Sequence, residues 1–457
     1  MPAIGRTPTA MPAAIRTLWI LSTVSILEAV GGSGIGVNYG KLGNNLPPPA
    51  QVAQFLARNT VIDRVKLFDT DPATLQAFDN TDLAIDVTIS NDLIPNLTNL
   101  SFAKYWIQAN ILPYIAATNI TRILVGNEVV SAADKSLIAS LVPAMQNLHT
   151  ALVGASLQHK IKVSSPHSLG ILAASAPPSV GRFQDGYDTA VMKPLLTFLR
   201  ATGSPFMVNP YPFFGSTRDT LDYALFRLNS GVVDDNTGLT YTNMLDAQLD
   251  AIFSAMKLLG FTDVEIVVAE TGWPSMGDAW EVGADMDSAR DYNKNLVRHA
   301  ASGIGTPLMP NRTFDTYIFS LFNENLKPGP TSERNFGLFY PNMTPVYDIG
   351  ILRTEQARDQ QVKPMASDAK RWCVPKPDAD VMSLQEKIEY VCAQGIDCNP
   401  IRPGGACYRP DTAQGHAAYV MNEYYQSFGR NSFDCDFGQT GVISTIDPSY
   451  GNCIYRS

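Results

Sequence analysis

Residues 35–68 read IGVNYGKLGNNLPPPAQVAQFLARNTVIDRVKLF, and this stretch decides the fold. A short apolar run, Ile35–Tyr39, gives way to Gly and Pro. Pro49–Arg58 then repeats its apolar residues at three and four, as one face of a helix does, and a second apolar run, Arg64–Phe68, follows. The unit recurs. Further β runs are Ala84–Ile89, Arg122–Val125, Lys162–Ser165, Phe206–Val208, Val264–Ala269 and Thr316–Phe322. Each is rich in Val, Ile, Phe or Tyr and bounded by Gly, Asp, Asn, Ser or Pro, the signature of parallel strands buried on both faces. Helix-like segments such as Asp246–Leu259 lie between them. Eight strand–helix units between residues 34 and 350 predict an α/β fold, a (β/α)8 TIM barrel. A doubly wound sheet is the rival, but no Gly-x-Gly-x-x-Gly turn follows any of the runs.

Beyond residue 350 the alternation stops. A polar connector, residues 351–371, carries Gln356, Gln360, Gln361 and Lys363 and leads to a module at residues 372–457. All six cysteines lie there: Cys373, Cys392, Cys398, Cys407, Cys435 and Cys453. An even number packed into one short segment predicts a small disulfide-rich α+β module whose core is too small to hold itself. No Cys-x-x-Cys pair occurs, so a metal site is not expected, and spacing alone leaves the pairing open. Ser383 and Glu386 form a capping-box signature for a helix running to Gln394 with Gly395 as its stop; Gly415–Phe428 reads as a second helix.

At the other end, Arg6 and Arg16 precede the mainly apolar run Leu18–Leu27, and small residues dominate Ala29–Gly34. Residues 1–33 therefore read as a secretory signal peptide. That run is too short to span a membrane, and no other stretch qualifies. Only Ile454-Tyr455-Arg456-Ser457 follow Cys453, which is no hydrophobic tail, so a lipid anchor is not expected. Asn96, Asn99, Asn119, Asn311 and Asn342 each open an Asn-x-Ser/Thr sequon. The expected location is extracellular, in the cell wall. A net charge of −9 argues against nucleic acid as a partner. The five histidines show no metal-ligand spacing, and only His167 falls near a strand end. No cofactor and no metal are expected, and the chain is read as a monomer.

In such a barrel, functional residues come from the carboxyl ends of the strands. The fourth run ends in Val125-Gly126-Asn127-Glu128, the seventh in Ala269-Glu270-Thr271-Gly272-Trp273-Pro274, and the eighth in Phe322-Asn323-Glu324-Asn325-Leu326-Lys327. The first ends in Asn38-Tyr39-Gly40 and the sixth in Asn209-Pro210-Tyr211-Pro212-Phe213-Phe214. One rim thus collects carboxylates, amides and aromatics, a set that suits a sugar: rings stack on pyranose faces while amides and carboxylates bind hydroxyls. Glu128 and Glu270 face each other across the mouth, as the two carboxylates of a glycoside hydrolase must. A lone glutamate after a strand reads equally as a first-turn helix carboxylate; two together read as catalysis. Glu324 and Lys327 read either as a surface pair or as a charged network around the site. There is no Gly-x-Ser-x-Gly elbow for a serine hydrolase and no phosphate loop.

The segments Gly36–Gly40, Val125–Val129, Ala269–Ser275 and Phe322–Lys327 resemble the signature segments of plant β-1,3-glucanases of glycoside hydrolase family 17. The resemblance spans residues 34–350. It implies endo-hydrolysis of (1→3)-β-glucan, of the callose or laminarin type, with net retention. It also implies that Glu128 is the acid/base, Glu270 the nucleophile, and Glu324 and Lys327 supporting residues. Asn127 is expected to bind a sugar hydroxyl, and Tyr39, Tyr211, Phe213, Trp273 and Phe322 to contact the glucan. Trp372-Cys373, Pro403–Tyr408, His416–Tyr419 and Cys435–Gly438 resemble the β-1,3-glucan-binding module often joined to these barrels. That resemblance implies the pairings Cys373–Cys435, Cys392–Cys398 and Cys407–Cys453. The alternatives are a non-catalytic glucan-binding wall protein and a glucan transglycosylase.

Overall fold

Each of the eight apolar runs contains a strand. In the computed structural model, which describes residues 34–353 and 370–457 apart from 132–133, 378, 394–395, 428–429, 431–434 and 439, the strands join one parallel sheet. They are β1 (Ile35–Tyr39), β2 (Arg64–Leu67), β3 (Ala84–Ile89), β4 (Ile120–Val125), β5 (Lys162–Ser164), β6 (Pro166–Ser168), β7 (Phe206–Asn209), β8 (Ile266–Thr271) and β9 (Thr316–Ile318). The order is β5-β4-β3-β2-β1-β9-β8-β7-β6. The two edges follow one another along the chain, β5 within the fifth run and β6 just past its end, so the sheet closes on itself through Ser165. The ladder breaks there because Pro166 has no N–H to give it. β5 pairs with β4, and β6 with β7.

Several strand bounds differ from the sequence reading, and two carboxyl ends differ most. The seventh strand runs on through Glu270 to Thr271, and the eighth stops at Ile318, where the chain leaves the ladder. There Leu321 N–H donates to the Asn38 carbonyl, and Phe322 bridges Phe339. Residues 1–33, expected to be a leader, and residues 354–369 of the expected connector lie outside the described residues, as do Gln394, Gly395 and Phe428.

Helices alternate with the strands: α1 (Pro49–Asn59), α2 (Pro72–Ala77), α3 (Leu100–Asn110), α4 (Lys135–Gly154), α5 (Lys193–Thr202), α6 (Met244–Leu258) and α7 (Met286–Ser302). Helix α1 buries Val52, Ala53 and Leu56 at a three-four spacing against the sheet. Helix α4 is long and apolar enough to cross a membrane by length and composition. Its Ile138, Leu141, Met145, Leu148 and Leu152 are instead buried in the barrel core.

The barrel interior is filled in layers. Leu124, Met207, Val267, Ala269 and Tyr317 form an apolar plug. At the amino end of the strands Arg122 donates to Asp86 (3.2 Å), Asp315 (2.6 Å) and Tyr317 Oη (2.9 Å), and Arg64 also pairs with Asp315. Burial of Asp315 is outweighed by these two guanidinium groups, which hold its carboxyl below the usual range.

In the cysteine-rich module β10 (Trp372–Pro375) pairs antiparallel with β11 (Gly441–Ser444), beside helices α8 (Val381–Ala393) and α9 (Ala413–Ser427). Helix α8 starts earlier than its capping-box signature: Asp380 accepts the N–H of Ser383 (2.9 Å), so Ser383 is a residue of the first turn and not the cap. Disulfides join Cys373 to Cys435, Cys392 to Cys398 and Cys407 to Cys453, around a core that includes Trp372, Leu384, Val420 and Tyr425.

Candidate active site

The chain turns sharply where β4 ends. Gly126 (φ +71°) and Glu128 (φ +55°) both adopt left-handed backbone, costly for a glutamate and tolerated only where the surroundings hold it. Asn91 supplies that hold by accepting from Asn127 N–H (2.8 Å) and donating to the Asn127 carbonyl (3.1 Å). Glu128 N–H donates to the Pro166 carbonyl (2.9 Å), the residue at which the ladder breaks. The result turns the Glu128 side chain into a cleft of about 920 Å³ at the carboxyl ends of the strands.

Glu270 enters the same cleft from β8 and is 6% exposed. Lys66 Nζ lies 2.5 Å from one of its oxygens, and Tyr211 Oη donates to the other (3.0 Å). Lys66 is fully buried, with its ammonium 4.2 Å from the centre of the Phe68 ring. Its two oxygens thus each accept from a different donor, one an ammonium and one a phenol. Glu128 differs: its side-chain donor among the described residues is the neutral Asn209 amide (2.8 Å). Burial raises its pKa, the Asn209 bond opposes, and the charge of Glu270 raises it further. Two carboxyl groups in one cleft thus meet different surroundings: Glu270 has an ammonium and a phenol on its oxygens, Glu128 a neutral amide.

Glu324, 4% exposed, accepts from Leu42 N–H (2.7 Å), and burial raises its pKa. Lys327 is not its ion-pair partner: Lys327 Nζ pairs with Glu333 (3.1 Å) and sits 4.1 Å from the centre of the Phe319 ring. Glu324, Lys327 and Glu333 all line the cleft, and the lysine's charge also acts on Glu324 against the effect of burial. Tyr39 also lines it, with a hydroxyl pKa raised to about 12 by burial and then by Asp69 and Asp71.

Of the residues read from sequence, the cleft brings together Tyr39, Asn127, Glu128, Tyr211, Glu270, Glu324 and Lys327. Phe213, Trp273 and Phe322, expected to contact the glucan, are not among its lining residues and are 7%, 0% and 1% exposed. Phe213 packs edge-on to Trp273 (5.2 Å between centres), whose indole N–H donates to the Gly283 carbonyl (2.6 Å). His167 is buried against Phe206 with a pKa pushed down to about 3, away from the cleft lining. Residues that sequence reasoning missed include Lys66, Glu333, Phe319 and Phe336, and Asn209 was placed on the rim without a role of its own. A lysine inside an apolar β run was the available signal for the first, since a buried ammonium needs a counter-charge.

A parallel barrel with an aromatic-walled cleft and paired carboxylates at the carboxyl ends of its strands is the build of a glycoside hydrolase. The chain belongs to glycosyl hydrolases family 17, whose model matches residues 35–351, and residues 371–442 match the X8 domain. It is 50% identical over 438 residues to a protein of Triticum aestivum named glucan endo-1,3-beta-glucosidase, covering 93% of this chain and 95% of that one. It is 46% identical over 459 residues to a glucan endo-1,3-beta-D-glucosidase of Olea europaea, covering 98% and 99%. Among solved structures it is similar to CJP38, a beta-1,3-glucanase and allergen of Cryptomeria japonica pollen. That match has a TM-score of 0.65 and 42% identity, over 69% of this chain and 98% of that one.

Proposed function

We propose that this chain is a secreted, monomeric, retaining endo-hydrolase of (1→3)-β-glucan, with a leader at 1–33, a catalytic barrel at 34–350 and a glucan-binding module at 372–457. The observation that carries the reading is the contrast between the two carboxyl groups of one cleft: Glu270 with Lys66 and Tyr211 on its oxygens, and Glu128 with its pKa raised by burial. A Glu270 oxygen attacks the anomeric carbon as the bond to the departing sugar breaks, and Glu128 gives its proton to the departing oxygen. Glu128 then takes a proton from water, whose oxygen displaces Glu270 and regenerates both groups. The Asn127 side-chain oxygen is buried in the cleft wall without a partner among the described residues, which supports its binding a sugar hydroxyl beside the bond that breaks.

Secretion is supported by the three disulfides and by five sequon asparagines that are all exposed. The deciding experiment measures reducing-end release from laminarin by wild type and Glu270→Gln, with products sized over time and the anomer of the first product read by NMR. Mixed oligomers with β-anomeric ends, lost in the variant, are expected. Folded wild type that binds insoluble glucan and releases nothing overturns the enzyme reading.

A further inference from the structure

The loop after β8 turns its carboxylates inward and its indole outward, the reverse of an ordinary surface loop. Residues 278–281 form a tight turn in which Glu281 N–H donates to the Asp278 carbonyl (2.9 Å). The side chains at both ends of the turn reach across to the segment after β9. Asp278 accepts from Thr331 Oγ1 (2.5 Å) and N–H (3.2 Å), and Glu281 accepts from the Ser332 hydroxyl and N–H (3.3 Å). Ser275 adds two donations to the Asn335 carbonyl, from its N–H (2.9 Å) and its hydroxyl (3.1 Å). At the corner of this braced turn stands Trp280, 69% exposed. Tryptophan is highly buried on average in globular proteins, and none of the bonds that hold this turn comes from the indole.

The segment to which the turn is tied is the wall of the cleft. Thr331 and Ser332 directly precede Glu333, which lines the cleft and holds Lys327, and Phe336 lines it shortly after. On the other side Gly283 packs on Leu221, of the stretch that follows Phe214, a cleft aromatic 63% exposed. The indole therefore stands on a support tied on one side to the segment that carries Glu333 and packed on the other against Leu221.

We propose that Trp280 is an accessory stacking site for a sugar ring of the glucan chain beyond the cleft, engaged only by chains long enough to emerge from it. The inference rests on the glucan reading above. A flat indole matches the C–H face of a pyranose, and its neighbour at the tip, Ala279, brings no charge, which suits a neutral polysaccharide.

The test compares kcat/KM of wild type, Trp280→Ala and Trp280→Tyr on a short β-1,3-gluco-oligosaccharide and on laminarin. The long-to-short ratio is expected to fall about tenfold in Trp280→Ala, as loss of one partly buried aromatic face implies, and to recover largely in Trp280→Tyr. Equal ratios in all three proteins overturn the proposal while leaving the hydrolase reading intact. No release by wild type from either substrate overturns the hydrolase reading, and the proposal with it. A wild type that self-associates in sedimentation, where Trp280→Ala does not and the ratio is unmoved, makes the tip a contact between copies and also overturns it.

Discussion

Asn209 and Lys66 each touch one carboxylate, and removing them has opposite consequences. The Asn209 amide stabilises the ionised form of Glu128, so Asn209→Ala raises a pKa that burial has already raised. If Glu128 must be protonated to donate, the alkaline limb of the kcat/KM profile then moves to higher pH, and a pH–rate series reads the shift directly. Lys66→Met strips the buried Glu270 of its counter-charge. Breaking a buried ion pair by removing one partner costs about 3–5 kcal/mol, here shared between stability and the transition state. A fall of about a hundredfold or more in kcat, with a smaller change in KM, is the expected kinetic outcome. Neither residue is conspicuous in the sequence, because each acts through a partner far along the chain. Lys66 and Glu270 are 204 positions apart, and only barrel closure brings them together.

At the scale of elements, the loops after β1 and β9 interlock around Glu324. A Cβ on Gly40 would stand 2.4 Å from both Glu324 carboxylate oxygens. Gly40→Ala therefore pushes the carboxylate off the Leu42 N–H, and the flexible end of a side chain yields more cheaply than backbone does. Steady-state kinetics should show kcat/KM lower by about tenfold, the worth of one hydrogen bond to a charged group, with the thermal midpoint little changed. The strands themselves were legible because buried parallel strands leave an apolar run that a helix-spaced segment follows. The aromatics were less so. Tyr211 and Phe213 stand two residues apart on one loop, yet Tyr211 reaches Glu270 while Phe213 turns inward to Trp273. Composition places an aromatic at the rim without saying which side of the loop it faces. Strand limits failed at Glu270 and Phe322 because hydrogen bonding across the barrel, not local pattern, sets where a ladder stops.

For the whole molecule, the cysteines divide the chain chemically. All six are bonded within the module, and residues 34–353 contain none. A small core held by three disulfides, each worth about 2–4 kcal/mol, fails when they are reduced, whereas a barrel without them does not. Dithiothreitol should therefore abolish retention on insoluble glucan while leaving hydrolysis of soluble laminarin, which a pull-down and a reducing-end assay on the same sample would show. The barrel's own continuity has a consequence for synthesis. Its first strand pairs with its last, Ile35 against Thr316, so no ribosome-bound fragment ending short of that strand holds a closed sheet. At about 5–20 residues per second, the wait between making the two is on the order of 15–60 s. Throughout that interval β1 presents an open edge, and for most of it the lysine destined for Glu270 has no counter-charge. The nascent chain carries its active-site cation long before it carries the anion that makes burying it possible.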